Sequence, residues 1–221
     1  MIDFHINCRD MAPEEAARAA FLSGYRAIAV NIEPLASIKR NIDALRAITH
    51  ECSLYSGVEV FAAAKLAYIA PCLFPDAAQK AREAGAQIVL AHGETIAPGR
   101  VPPAKGTNLA AINAGVDILV HPGLITREEA ELAAEKQVLL EISTHPGHGL
   151  ANGHIAAIAR ATGAGLVFGS GANSVHEFCN ADQLQKTALG AAMTTQEIHN
   201  TLENARILVQ RILMRQASST L

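Results

Sequence analysis

Residues 76–93 read DAAQKAREAGAQIVLAHG. An alanine-rich amphipathic run comes first. Gly85 closes it where a C′ glycine belongs, and a short apolar run then ends in His92 and Gly93. The same order of helix, glycine and strand recurs along the chain. PEEAARAAFLSG (13–24) has Pro13 near a helix start, acids in its first turn and Gly24 as its stop, and YRAIAVNI (25–32) follows. GTNLAAINAG (106–115) offers Thr107 as N-cap and Gly115 as stop before VDILVHPG. TREEAELAAEK begins at Thr126 and precedes VLLEIST, and NGHIAAIARATG runs from Asn152 to Gly163 before GLVFGSG. A long final helix is expected over about 194–215.

Strands are expected at 2–7, 25–32, 53–60, 87–93, 117–122, 138–144 and 166–170. They are apolar runs more than strict alternations, as in a parallel sheet covered by helices on both faces. With no break in composition, residues 1–221 read as one domain. The choice lies between a barrel and an open doubly wound sheet. No G-x-G-x-x-G or G-x-x-x-x-G-K-[ST] opens any unit, and GSGAN near residue 170 is a weak phosphate-loop signal.

Composition narrows the classes. The formal net charge is −3 and half the residues are hydrophobic. Acids and bases are interspersed, so no basic stripe marks a nucleic-acid partner. No apolar run reaches the length of a membrane span, and no positive n-region followed by an apolar h-region opens the chain. Cys8, Cys52, Cys72 and Cys179 are scattered and form no C-x-x-C pair, which suits a reducing cytoplasm and buried thiols.

The ends of the expected strands carry the chemistry. In order they supply His5 and Asn7; Asn31 and Glu33; Glu59; His92 with Glu94; His121; Glu141, Thr144 and His145; Ser170 and Asn173; His148 lies in the loop after the sixth. In βα barrels catalytic residues converge at that end. Glu59, His92 and His121 make an oxygen and nitrogen donor set without thiolate, and three protein ligands leave an open position. A lone histidine before Pro-Gly is more often a turn or core residue, and a lone glutamate in GVEV is more often solvated. Their joint placement favours a site. His50 and His199 fall in expected helices and read as structural.

The segments DFHIN, SGVEV, IVLAHGETI, ILVHPGLIT, LEIST, NGHIA and FGSGAN resemble the PHP (polymerase and histidinol phosphatase) family, nearest its histidinol-phosphatase-like branch. The resemblance implies an α/β fold, a distorted TIM-like (β/α)7 barrel with up to three metals at its C-terminal mouth. It implies metal ligands at Glu59, His92 and His121, with His5 and Glu33 as remnants of further sites. Asn7 replaces the second histidine of D-x-H-x-H, Glu33 stands in the histidine place of T-D-H, and Gly171 and Asn173 replace the final Asp and His. One intact site for zinc, manganese or iron is therefore expected.

Two functions follow. One is a metal-dependent phosphoesterase with a reduced metal centre, acting on a small phosphorylated molecule in the cytoplasm. His145, His148 and His154 would do acid–base work there, and Arg9, Glu94, Asn152 and Asn173 would bind substrate. The other is an inactive pseudoenzyme that binds a small ligand or a protein. An RNA-processing role, as for PHP-like barrels in ribonuclease P-associated proteins, is disfavoured by the acidic net charge. Neither nucleic acid nor membrane is expected as a partner.

Overall fold

The computed structural model describes residues 1–32, 38–97 and 101–219. Seven parallel strands form one sheet in sequence order: β1 (Ile2–Asn7), β2 (Ala27–Ile32), β3 (Glu59–Leu66), β4 (Ile88–His92), β5 (Ile118–Val120), β6 (Leu139–Ser143) and β7 (Leu166–Gly169). Residue 172, just past β7, bridges back to Ile6, and Asn7 N–H donates to the Ala172 carbonyl at 2.8 Å. The sheet is thus a nearly closed TIM-like barrel.

The helices are α1 (Pro13–Leu22), α2 (Ile38–Ser56), α3 (Phe74–Glu83), α4 (Thr107–Asn113), α5 (Arg127–Lys136), α6 (Asn152–Thr162), α7 (Ala181–Gly190) and α8 (Thr195–Ser219). Their boundaries follow local chemistry. Thr126 caps α5 by accepting Glu129 N–H, with Glu129 returning the bond to Thr126 N–H. Gly163 sits at φ +78 and stops α6.

The barrel interior is filled by Phe4, Ala29, Phe61, Ala63, Leu90, Ile118, Val120 and Val167. Ala205, Leu208 and Ile212 of α8 join the same cluster, so α8 plugs the N-terminal end of the barrel. No helix among the described residues is long and apolar enough to cross a membrane.

One strand departs from expectation. Residues 53–56 are the last turn of α2, not the start of a strand. Ile42, Leu45, Thr49 and Cys52 continue its buried stripe, and Gly57 at φ +73 ends the run. The strand is EVFAAAKL, displaced six residues from 53 to 59 at its start. Its three alanines favour helix locally, but the burial they find in the sheet overrides that preference.

Candidate metal centre at the barrel mouth

β1 carries a bulge: Asp3 pairs with Ile28 but Ile6 pairs with Val30. The bulge lets Phe4 enter the core while His5 still turns inward. Asp3 holds this geometry, accepting His5 N–H at 2.8 Å and Ser170 N–H at 3.0 Å. Burial pushes its carboxyl up to about 7, against the opposing pull of the Ser170 and His5 donors.

Glu141 of β6 connects distant parts of the chain. Its Oε1 lies 2.9 Å from His5 Nδ1, and its Oε2 accepts His121 N–H at 2.9 Å. His121 Nδ1 is 3.0 Å from the same Oε2 but out of line for a hydrogen bond. Gly169 opposite makes room: a Cβ there would fall 2.1 Å from Glu141 Oε1. His121, at φ +52, stands in the left-handed region and is one of few non-glycine residues there.

His92 Nδ1 faces the Gly93 carbonyl at 3.0 Å, which fixes the proton on Nδ1 and leaves Nε2 as a lone pair. His148 Nδ1 lies 2.8 Å from Thr95 Oγ1, and its ring stacks on His121 at 3.7 Å and 9°. His145 Nδ1 accepts Gly147 N–H at 3.0 Å, so its neutral form carries the proton on Nε2. Lys65, next to last in β3, lines the mouth and donates to Asn7 Oδ1 at 2.5 Å; Asn7 in turn donates to the Gly171 carbonyl. Arg9 and Asn173 stand exposed on the wall of this cavity of about 500 Å3.

Among the described residues, two groups can hold a metal ion: His92, His121 and His148, and His5, His121 and Glu141. Burial lowers the pKa of His5 and His121, takes His92 down to about 4 and takes His148 down to about 3. Neutral imidazoles are what a metal requires. Burial alone would raise the Glu141 carboxyl, but the His121 and His5 imidazoles outweigh it and hold it well below the usual range. His5 Nε2 and His121 Nδ1 are buried without a hydrogen-bond partner. Such orphans are rare in a finished core and fit ligand positions. The stacked planes of His121 and His148 lie parallel, so serving one ion requires the His148 ring to turn.

Several expected residues fall elsewhere. Glu59 begins β3 at the opposite end of the barrel and is exposed, because the strand starts where it was expected to end. The expected Glu59–His92–His121 triad is therefore not assembled. His154 is exposed on α6, with Nε2 at 2.7 Å from the Ile125 carbonyl and no share in the mouth wall. Glu94 accepts Gly106 N–H at 2.8 Å and Asn108 N–H at 3.2 Å, holding the start of α4. Asn152 is spent on the backbone N–H and carbonyl of Ser143. Glu33 lies outside the described residues. His5, His92, His121, His145, His148, Arg9 and Asn173 do converge on the mouth. Lys65 and Gly169 were missed; a lone lysine inside an apolar run was the available signal for the first.

The fold is shared with proteins of known structure. A chain of the cryo-EM structure of archaeal ribonuclease P with mature tRNA matches at TM-score 0.74 and 19% identity, covering 97% of this chain and 93% of that one. A. niger ochratoxinase matches at TM-score 0.65 and 13% identity, covering 95% of this chain and 71% of that one. An amidohydrolase matches at 0.62 and 13%, covering 98% and 74%. At these identities the likeness is one of fold. It nonetheless corrects the expected partners: the same barrel occurs in an RNA-containing assembly, so acidic net charge is no ground for excluding nucleic acid, and a small phosphorylated molecule has no support. No protein-family model matches the chain. The uncharacterized protein MJ1295 of Methanocaldococcus jannaschii is 33% identical over 207 residues, covering 90% of this chain and 94% of that protein. At that identity and coverage, the chain belongs to the family of MJ1295.

Proposed function

We propose that residues 1–221 form a single PHP-like barrel that acts as a metal-dependent hydrolase, with its centre at the C-terminal mouth. The observation that carries this reading is the set of His92, His121 and His148, whose ligand atoms lie within 4.8 Å of one another beside two unpartnered buried imidazole nitrogens. A bound zinc, manganese or iron ion would supply Lewis acidity for polarising an ester or amide. The chain's own residues do the rest. Glu141 fixes the His5 ring and the His121 backbone. His145 offers an N–H donor, and Lys65 a cation, to charge developing on the substrate. The test is a panel of ester and amide substrates assayed with added zinc or manganese. Turnover abolished by His92→Ala supports the reading, and no turnover with any metal sinks it.

Lys65 favours a second reading. An ammonium fills the third-strand place at the mouth where a carboxylate was expected, and a fixed cation there competes with a metal. A barrel that works by binding RNA or a protein would keep the fold without the reaction, and the ribonuclease P likeness suits it.

A further inference from the structure

One side chain at the mouth takes no part in holding the ion or in the proposed reaction. Tyr68 follows β3 and lines the same cavity as His92, His121 and His148. It is half exposed, and its ring lies against that of His92, with centroids 5.1 Å apart and planes tilted by 35°. Its hydroxyl makes no hydrogen bond among the described residues. The other two tyrosines are placed differently. Tyr25 is buried and donates to the Cys179 carbonyl at 2.7 Å, and Tyr55 stands out on α2.

The backbone of Tyr68 is unusual too. Among the described residues, four that are not glycine have positive φ: Tyr68 at +54, His121 at +52, Gln137 and Ala192. Gln137 caps α5 and Ala192 follows the end of α7, where left-handed backbone is an ordinary way to stop a helix. Tyr68 and His121 end no helix, and both stand in the mouth. A bulky side chain in that region is strained, and such strain persists where the surroundings impose it and collects at functional sites. Here Ala67 and Ile69 impose it. Both are buried on either side of Tyr68, and Ile69 packs into a core cluster. The largest side chain of the segment is thereby turned into the cavity.

We propose that Tyr68 is a specificity-determining residue of the mouth and that it selects a substrate carrying a planar aromatic or heteroaromatic ring, a role that rests on the metal centre proposed above. His92 Nε2 is left as a lone pair for the ion, so a group bound to that ion comes to lie beside the phenol ring packed on His92. Among the described residues, five imidazoles and one phenol line the cavity. Offset and edge-to-face contacts between rings gain more than the same area of saturated carbon, so these walls favour a flat partner. The volume, about 500 Å3, is that of a small-molecule site.

The experiment is calorimetric titration of the zinc-loaded protein with benzohydroxamate and with cyclohexanecarbohydroxamate. Both offer a metal the same pair of oxygens and carry a six-membered ring, and only the first ring is planar. After allowance for their affinities for zinc in solution, the wild type should bind the planar probe about fivefold more tightly. Tyr68→Phe should keep that preference. Tyr68→Asn accepts left-handed backbone without a ring, so it should lose the preference while melting no lower than the wild type and keeping its zinc. Equal binding of the two probes by the wild type, an unchanged preference in Tyr68→Asn, or a lower melting temperature or zinc content in that variant overturns the proposal. Binding of neither probe to the loaded protein overturns it as well, and all these results leave the metal centre standing. A protein that takes up no zinc overturns the metal centre and the role of Tyr68 with it.

Discussion

Glu141 reaches His5 across 136 residues of chain and meets His121 on the neighbouring strand. That arrangement depends on Gly169, whose missing Cβ is the space that Oε1 occupies. Gly169→Ala should therefore displace the carboxylate, lower stability by about 1–3 kcal/mol and weaken metal binding roughly 10- to 100-fold. Urea denaturation and a metal titration check the two parts. The buried imidazoles also set a pH dependence. Their folded pKa values lie below the unfolded value of about 6.5, so the unfolded chain takes up protons first as the pH falls. Stability should fall from pH 6.5 downward, by about 2 kcal/mol at pH 5 from His92 alone. Asp3 works the other way: its raised carboxyl favours the folded state at low pH, and that contribution is lost as pH rises through about 7. Several imidazoles oppose one carboxyl, so thermal melts at pH 7.5 should exceed those at pH 5. The reverse order would contradict the neutral state of the cluster.

The elements show where sequence reading succeeds and where it stops. Gly85 and Gly163 punctuate helices whose partners are local, so α3 and α6 were legible from spacing alone. β3 was not, because AAA is helical by propensity and only the sheet around it decides otherwise. That six-residue displacement carried Glu59 from the mouth to the far end. The histidines at strand ends were legible because each needs only its own strand to be right. Asn152 was misjudged because its role, a pair of bonds to Ser143, exists only once α6 folds back on β6. Asn152→Ala leaves a buried N–H and carbonyl unsatisfied and should cost about 2 kcal/mol in urea unfolding, with metal content unchanged.

Across the whole molecule the barrel divides its chemistry between two ends. The mouth gathers neutral imidazoles around one buried carboxylate. The plugged end, closed by Leu208 and Ile212 of α8, gathers arginines around Asp117. Net charge is a sum over the whole chain and is blind to this division, so an acidic total carries no argument about partners at either end. The central claim is that the mouth, and not Glu59, makes the metal centre. Elemental analysis of the purified protein after zinc or manganese loading tests it directly, with Glu59→Ala and His121→Ala in parallel. The structure predicts bound metal in the wild type and in Glu59→Ala, and its loss in His121→Ala. Metal lost with Glu59→Ala, or absent from the wild type, would contradict the account.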